Sequence, residues 1–367
     1  MKKGTNANLL LLFITVLFCT GLCELGTRIF LSDRIVLFPR YHTIAHYGEY
    51  TSRRLRPNSE FWHTSRDGSW KFTTNSQGFR ASREFDIRKP ERTLRIIALG
   101  DSHTQGFEVR QDHTFAAVIE RVFISRGVKA EVFNTGVSGF GTAEELIYLE
   151  NEGIKYRPDA IAIGFYANDF EDNVKSGFFR LEGNQLTGES KEFAPGVRIL
   201  DFINAIPPLR WLSENSYFYS LLMNTVWETA KSALFKSAAE RVRTEFALPT
   251  EPVDHYRGRL QVRLLERMFS FCQKSGIIMI VLDIPQKSGG PDSMNFVSSI
   301  PNDLIPAFRA NSDMLLLSED VLGKFRNLTA FHVPHGQHHI NELSHLMLGF
   351  AAAEALLVKL STSRRPI

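Results

Sequence analysis

A serine becomes a reagent only where a base can take its proton and where donors can meet the charge its attack creates. The segment Leu99-Gly100-Asp101-Ser102-His103-Thr104 places Ser102 directly after a short apolar run. If that run is a strand of a parallel sheet, Ser102 lies at its carboxyl end, where such sheets bind ligands. It also opens the next helix, whose dipole and free backbone N–H groups favour negative charge. Those conditions suit the oxyanion formed when a hydroxyl attacks an ester. Three more blocks follow in order: Asn134-Thr135-Gly136-Val137-Ser138-Gly139-Phe140-Gly141-Thr142, then Ala167-Asn168-Asp169, then His338-His339-Ile340-Asn341 with Glu342 and His345 beyond it. A Ser, a Gly, an Asn and a His thus arrive in sequence, each after an apolar run.

The elements that must position them alternate. Short apolar runs at residues 94–99, 132–134, 160–165, 277–282 and 314–317 read as strands. Helical periodicity covers residues 114–125, 143–152, 257–275 and 345–360. Strands that are apolar throughout and separated by helices imply a parallel sheet covered on both faces. We expect a flavodoxin-like three-layer α/β/α fold with a five-stranded parallel sheet in the order 2-1-3-4-5. All four blocks would then face one edge. A helical insertion is expected at about 170–255, broken at 204–208 and helical again over 216–243. It would serve as a lid or substrate wall, or only thicken the fold.

These ordered blocks resemble those of the SGNH hydrolases, also called the GDSL esterase/lipase family, in their membrane-anchored bacterial form. The resemblance covers about residues 92–360, interrupted by the insertion. It implies that Ser102 is the nucleophile and His339 its base. It also implies an oxyanion hole formed by the backbone N–H groups of Ser102 and Gly139 with the side-chain amide of Asn168. His339 is preferred over His338 because Ile340-Asn341 follows it. Two positions depart from the family pattern: Tyr166 stands where Gly is usual, and Gly336 where an Asp three residues before the His would orient the imidazole. Three arrangements are open. A backbone carbonyl could hold the ring, Asp283 could substitute, or the site could be degenerate and the fold a binding scaffold. The implied reaction is carboxylic-ester hydrolysis through an acyl-serine, with O-acyl transfer to an envelope glycan as the alternative use of the same residues. No metal or cofactor is implied. The substrate could be a small-molecule, lipid or glycan ester. Asn75-Ser76-Gln77-Gly78-Phe79-Arg80 resembles a segment ahead of the Ser block in anchored members and reads as a structural turn with Gly78 at positive φ.

Composition bounds the rest. The chain has 367 residues, 43% of them apolar and 23% charged, with net charge +3, which fits a globular protein and not a disordered one. That charge gives no footprint for nucleic acid. Among the three cysteines, Cys19 and Cys23 lie in an apolar N-terminal run and Cys272 in a helix, so neither a disulfide framework nor a zinc pattern arises. Lys2 and Lys3 precede the run at residues 9–23, which reads as an uncleaved signal anchor in preference to a cleaved signal, the small residues Gly21 and Cys23 leaving cleavage open. We expect residues 1–31 as anchor, 32–90 as an extension with short strands, and 91–367 as the hydrolase-like domain. The protein would sit in the membrane by its N-terminal helix, with its body outside the cytoplasm, on the periplasmic or extracellular side. Arg53, Arg54 and Arg56 read as solvated surface beside the membrane.

Overall fold

The computed structural model describes residues 3–37, 42–194, 196–226, 229, 253–290, 292–336 and 338–362. It opens with helix α1 (Lys3–Phe30), whose large apolar side chains from Leu9 to Phe18 stand exposed. The stretch Asn6–Phe30 is long and apolar enough to cross a membrane. Two antiparallel hairpins follow: β1 (His42–Tyr47) with β2 (Tyr50–Leu55), and β3 (Glu60–Ser65) with β4 (Gly68–Thr73).

The main body alternates as its apolar runs require. In chain order it comprises β5 (Leu94–Gly100), α2 (Ser102–Gln105), α3 (Phe115–Ser125), β6 (Ala130–Asn134), α4 (Thr142–Asn151), β7 (Ala160–Phe165) and α5 (Asp169–Ser176). Next come the hairpin β8 (Phe179–Glu182) and β9 (Gln185–Gly188), then α6 (Val197–Asn204), α7 (Pro207–Asn215) and α8 (Val253–Ser275). Strand β10 (Ile278–Asp283), the small hairpin β11 (Gln286–Ser288) and β12 (Asn295–Val297), strand β13 (Met314–Leu316) and α9 (Glu342–Thr362) complete it. The central sheet runs β6-β5-β7-β10-β13, every neighbour parallel, which is the expected 2-1-3-4-5 order.

Side chains alternate across a strand, so each face feeds its own core. Ile97, Leu99, Ile161, Ile163, Met279 and Val281 pack with Leu146 of α4 and with Leu264 and Met268 of α8. Ile96, Ala98, Ala162, Ile280 and Leu282 pack with Ile119 of α3 and with Leu348 and Leu356 of α9. Three layers result, and each large apolar side chain so buried contributes about 1.5–3 kcal/mol. Cys272 of α8 lies in the first core, where burial pushes its thiol up to about 12. Helix α9 is also long and apolar enough to span a membrane, but 44% of its apolar window is buried and it packs on α3.

Three expectations change. The helix after Ser102 is a single turn, ended by Gly106 at φ 85°, so it brings free N–H groups but little macrodipole. The insertion is not purely helical, because hairpin β8–β9 precedes α6 and α7. Residues 217–226 are helical as expected, and residues 227–243 of that expectation, save 229, lie outside the described residues. Arg53 is not solvated surface. It is 8% exposed, with its guanidinium against the Gly139 carbonyl and 3.6 Å from Glu144. A buried cation needs such partners, and a composition count could not place them.

Candidate active site

Parallel strands deliver their following loops to one edge. Ser102 follows β5, the glycine-rich turn follows β6 and Asn168 follows β7. His339 reaches the same edge from the segment before α9, where the His332–Ile340 bridge closes a small loop.

The Ser102 loop is held from several sides. Asp101 caps the turn by accepting from the His103 N–H at 2.8 Å. Thr104 donates its hydroxyl back to the Leu99 carbonyl at 3.1 Å. Arg80 is fully buried, and its guanidinium donates to the carbonyls of Gln105 at 2.6 Å, Val109 at 2.5 Å and Gly106. The turn that presents Arg80 has Gly78 at φ 77° and Asn75 accepting from the Phe79 N–H at 2.9 Å. That segment therefore supports the loop after Ser102.

The glycine-rich turn is tied to the same loop. Asn134 donates to the Thr104 carbonyl at 2.9 Å, and Gln105 accepts from the N–H and the hydroxyl of Ser138, both at 2.8 Å. Gly139 adopts φ 78°, a region that favours glycine.

His339 lies on Ser102. Its Nε2 is 2.7 Å from Ser102 Oγ, and its Nδ1 is 2.6 Å from the Gly336 carbonyl oxygen. A carbonyl only accepts, so Nδ1 carries the proton and Nε2 is left to accept one. Phe107 stacks on one side at 4.3 Å between ring centroids, and His103 lies against the ring at 4.6 Å. Tyr166, standing where the family pattern has glycine, covers His103 at 4.0 Å. Asp283 is fully buried elsewhere, accepting from the Ser299 N–H at 2.8 Å and from the Ser318 N–H at 2.9 Å and hydroxyl at 2.5 Å. The other histidines of the crowded stretch also have separate places. His332 bonds the Pro285 carbonyl, His335 bonds Asp67, His345 accepts from the Phe115 N–H, and His338 is exposed at φ 71°.

Asn168 lies among acids. Its amide nitrogen is 3.1 Å from Asp101 Oδ2 and 3.0 Å from Asp172 Oδ2, and its oxygen is buried without a partner among the described residues. Burial pushes the Asp101 carboxyl up to about 7 and the Glu145 and Asp169 carboxyls well above the usual range. Sequence reasoning missed Arg53, His103, Phe107 and Glu108 around this site. His103, Phe107 and Glu108 follow Ser102 so closely that proximity to the loop was the available signal.

Burial pushes His339 down to about 4, against the Gly336 carbonyl, which raises it. A base works deprotonated, so a lowered value moves the acid limb of activity to lower pH. We expect kcat/KM on an aryl ester to fall only below about pH 5 through His339. Asp101 titrates higher, so any change near neutrality should vanish in Asp101→Asn. A limb between pH 6 and 7 that survives Asp101→Asn would contradict a neutral, buried His339.

No protein-family model matches the chain, and no curated protein does. Among solved structures it is similar to TesA, with 11% identity over 72% of this chain and 99% of that one, TM-score 0.38. An acetyl xylan esterase, AlAXEase, shares 10% identity over 72% of this chain and 100% of that one, TM-score 0.39. The lipase/acylhydrolase from Enterococcus faecalis shares 13% identity over 72% of this chain and 96% of that one, TM-score 0.39. Likeness this loose assigns neither reaction nor substrate.

Proposed function

We propose that this chain is a serine esterase of the SGNH (GDSL) type, hydrolysing a carboxylic ester through an acyl-serine. The contact of Ser102 Oγ with His339 Nε2 at 2.7 Å, with Nδ1 held by a carbonyl, carries the reading. Ser102 is partly exposed while His339 is buried, so a substrate can reach the hydroxyl without wetting its base. His339 takes the proton as Oγ attacks the ester carbonyl. The oxyanion forms beside the N–H of Ser102, which has no partner within its helix, and the N–H of Gly139. Asn168 contributes its amide by turning one of its two hydrogens from Asp101 or Asp172, which accept both of them before substrate binds. His339 then returns the proton to the departing alkoxide, and water repeats the sequence on the acyl-serine. The experiment is fluorophosphonate labelling of the full-length chain. The modified peptide should contain Ser102, and His339→Ala should abolish labelling.

We also read α1 as a membrane anchor that leaves the body outside the cytoplasm. Its exposed apolar length supports this. So does the tie of its last turns to the body, where Arg28 donates to the Asn215 carbonyl at 2.5 Å. Glu24 accepts from the Ser216 hydroxyl at 2.7 Å and from the Phe218 N–H at 2.9 Å. A reporter active only outside the cytoplasm, fused after Ile367, should be active. A well-expressed but silent fusion would overturn this orientation.

A further inference from the structure

The Gly336 carbonyl can orient His339, but a dipole cannot neutralise the imidazolium that forms when Ser102 attacks. A carboxylate does stand beside it. Glu108 lies in the loop after α2, its side chain fully buried, and neither of its oxygens has a hydrogen-bond partner among the described residues. The titratable group opposite it is His63 of β3, whose Nε2 is 3.5 Å from Oε1. A buried carboxylate so poorly satisfied is costly and calls for a reason. Its backbone carries a second mark. Glu108 adopts φ 56°, a left-handed conformation that is uncommon for a residue with a side chain.

Gly336 supplies the link. A Cβ built on Gly336 would fall 2.3 Å from Glu108 Oε2 and 2.6 Å from the Val333 Cβ. The Glu108 carboxylate thus fills the space from which a side chain at position 336 would start, three residues before His339. A side chain at 336 would require the Glu108 carboxylate and Val333 to shift. Phe107, the neighbour of Glu108, stacks on the His339 ring.

We propose that Glu108 is the positioning carboxylate of the Ser102–His339 pair, brought from the loop after the nucleophile to the place vacated at Gly336. This rests on the esterase reading of that pair. Two groups then divide one task. The Gly336 carbonyl fixes the tautomer, and Glu108 supplies the negative charge that favours the imidazolium. The other titratable groups around the ring are the histidines: His63 and His338 act on it, His103 stacks on it and His345 lies deeper. Burial holds His63, His103 and His345 below their usual values, so they bring little charge of their own. Arg80 acts on His63 and His345. Glu108 is the carboxylate that acts on His339 directly.

The test uses the full-length chain in detergent and three readouts: the His339 ring pKa by NMR, kcat and KM on one aryl ester, and the melting temperature. Glu108→Gln keeps shape and removes charge. It should lower the His339 pKa by about one pH unit or more. It should also lower kcat by at least about tenfold with KM within about twofold. Glu108→Gly suits the left-handed backbone, so it guards against a Gln variant that fails to fold. It should lose activity likewise, and added formate, but not formamide, should restore part of it. A merely structural Glu108 would move the melting temperature and leave the His339 pKa in place. An unchanged pKa with wild-type kcat in either folded variant overturns the proposal. If the wild type hydrolyses no ester and the His339 pKa still falls in Glu108→Gln, the esterase reading fails and the coupling of Glu108 to His339 stands.

Discussion

Ser102→Ala is expected to lower kcat by about 10³- to 10⁶-fold on whichever ester the wild type hydrolyses best. In the proposed esterase the hydroxyl is the group that forms the acyl bond, and no neighbouring side chain can replace it. Asp101 and His103 flank it, but Asp101 is tied to the His103 N–H and to Asn168, and His103 is buried between Tyr166 and His339. The fold should survive. The lost hydrogen bond to His339 is worth about 1 kcal/mol net, and the turn is anchored independently by Arg80 and Thr104. The comparison is kcat/KM on acetyl, longer acyl and thioester substrates for wild type and variant, with melting temperature as control. If the two are indistinguishable on every class, and the fluorophosphonate leaves Ser102 unmodified, the chain is a scaffold and not an esterase.

What could be read in advance follows from what periodicity and order encode. Strands such as Ala160–Phe165 are apolar at every position because both sheet faces are covered, and their spacing by helices forces the parallel order. Ser102, Gly139 and Asn168 come after strands β5, β6 and β7, so topology sends them to one edge, whereas His339 comes from the segment before α9 and was singled out by the Ile340-Asn341 that follows it. Pairings between distant segments were not legible. Arg53 and His63 come from hairpins ahead of the sheet, and nothing in their local pattern says that one meets the Gly139 carbonyl and the other Glu108. Glu108 itself stands in a polar loop where an acid would ordinarily be solvated. Its burial follows from the side chain that Gly336 lacks, a fact about two positions far apart in sequence. Asp283 was a reasonable candidate by its place at the end of β10, but its oxygens serve the backbone of Ser299 and Ser318.

Asn168→Ala should lower kcat by about 10²–10³ with little change in KM. A donor preset toward the tetrahedral oxygen is worth more in the transition state than toward the substrate carbonyl, because the negative charge it meets develops only as the hydroxyl attacks. The surroundings sharpen the expectation. The Asn168 amide donates to two carboxylates, Asp101 at 3.1 Å and Asp172 at 3.0 Å, so it meets the oxyanion only by giving up one of these acceptors. Removing it takes away one donor and exposes the oxyanion to their repulsion. Two variants divide these effects. Asn168→Asp should be worse than Asn168→Ala, since it adds a third acid. Asp172→Asn should leave the amide in place while removing a competing negative charge, and should raise kcat or leave it unchanged. Melting temperatures control for the loss of a donor to Asp101, whose carboxyl already sits near 7 by burial and rises further without Asn168. A rise in KM with kcat intact in Asn168→Ala would mean that the amide only positions substrate, and the oxyanion would then depend on the N–H groups of Ser102 and Gly139 alone.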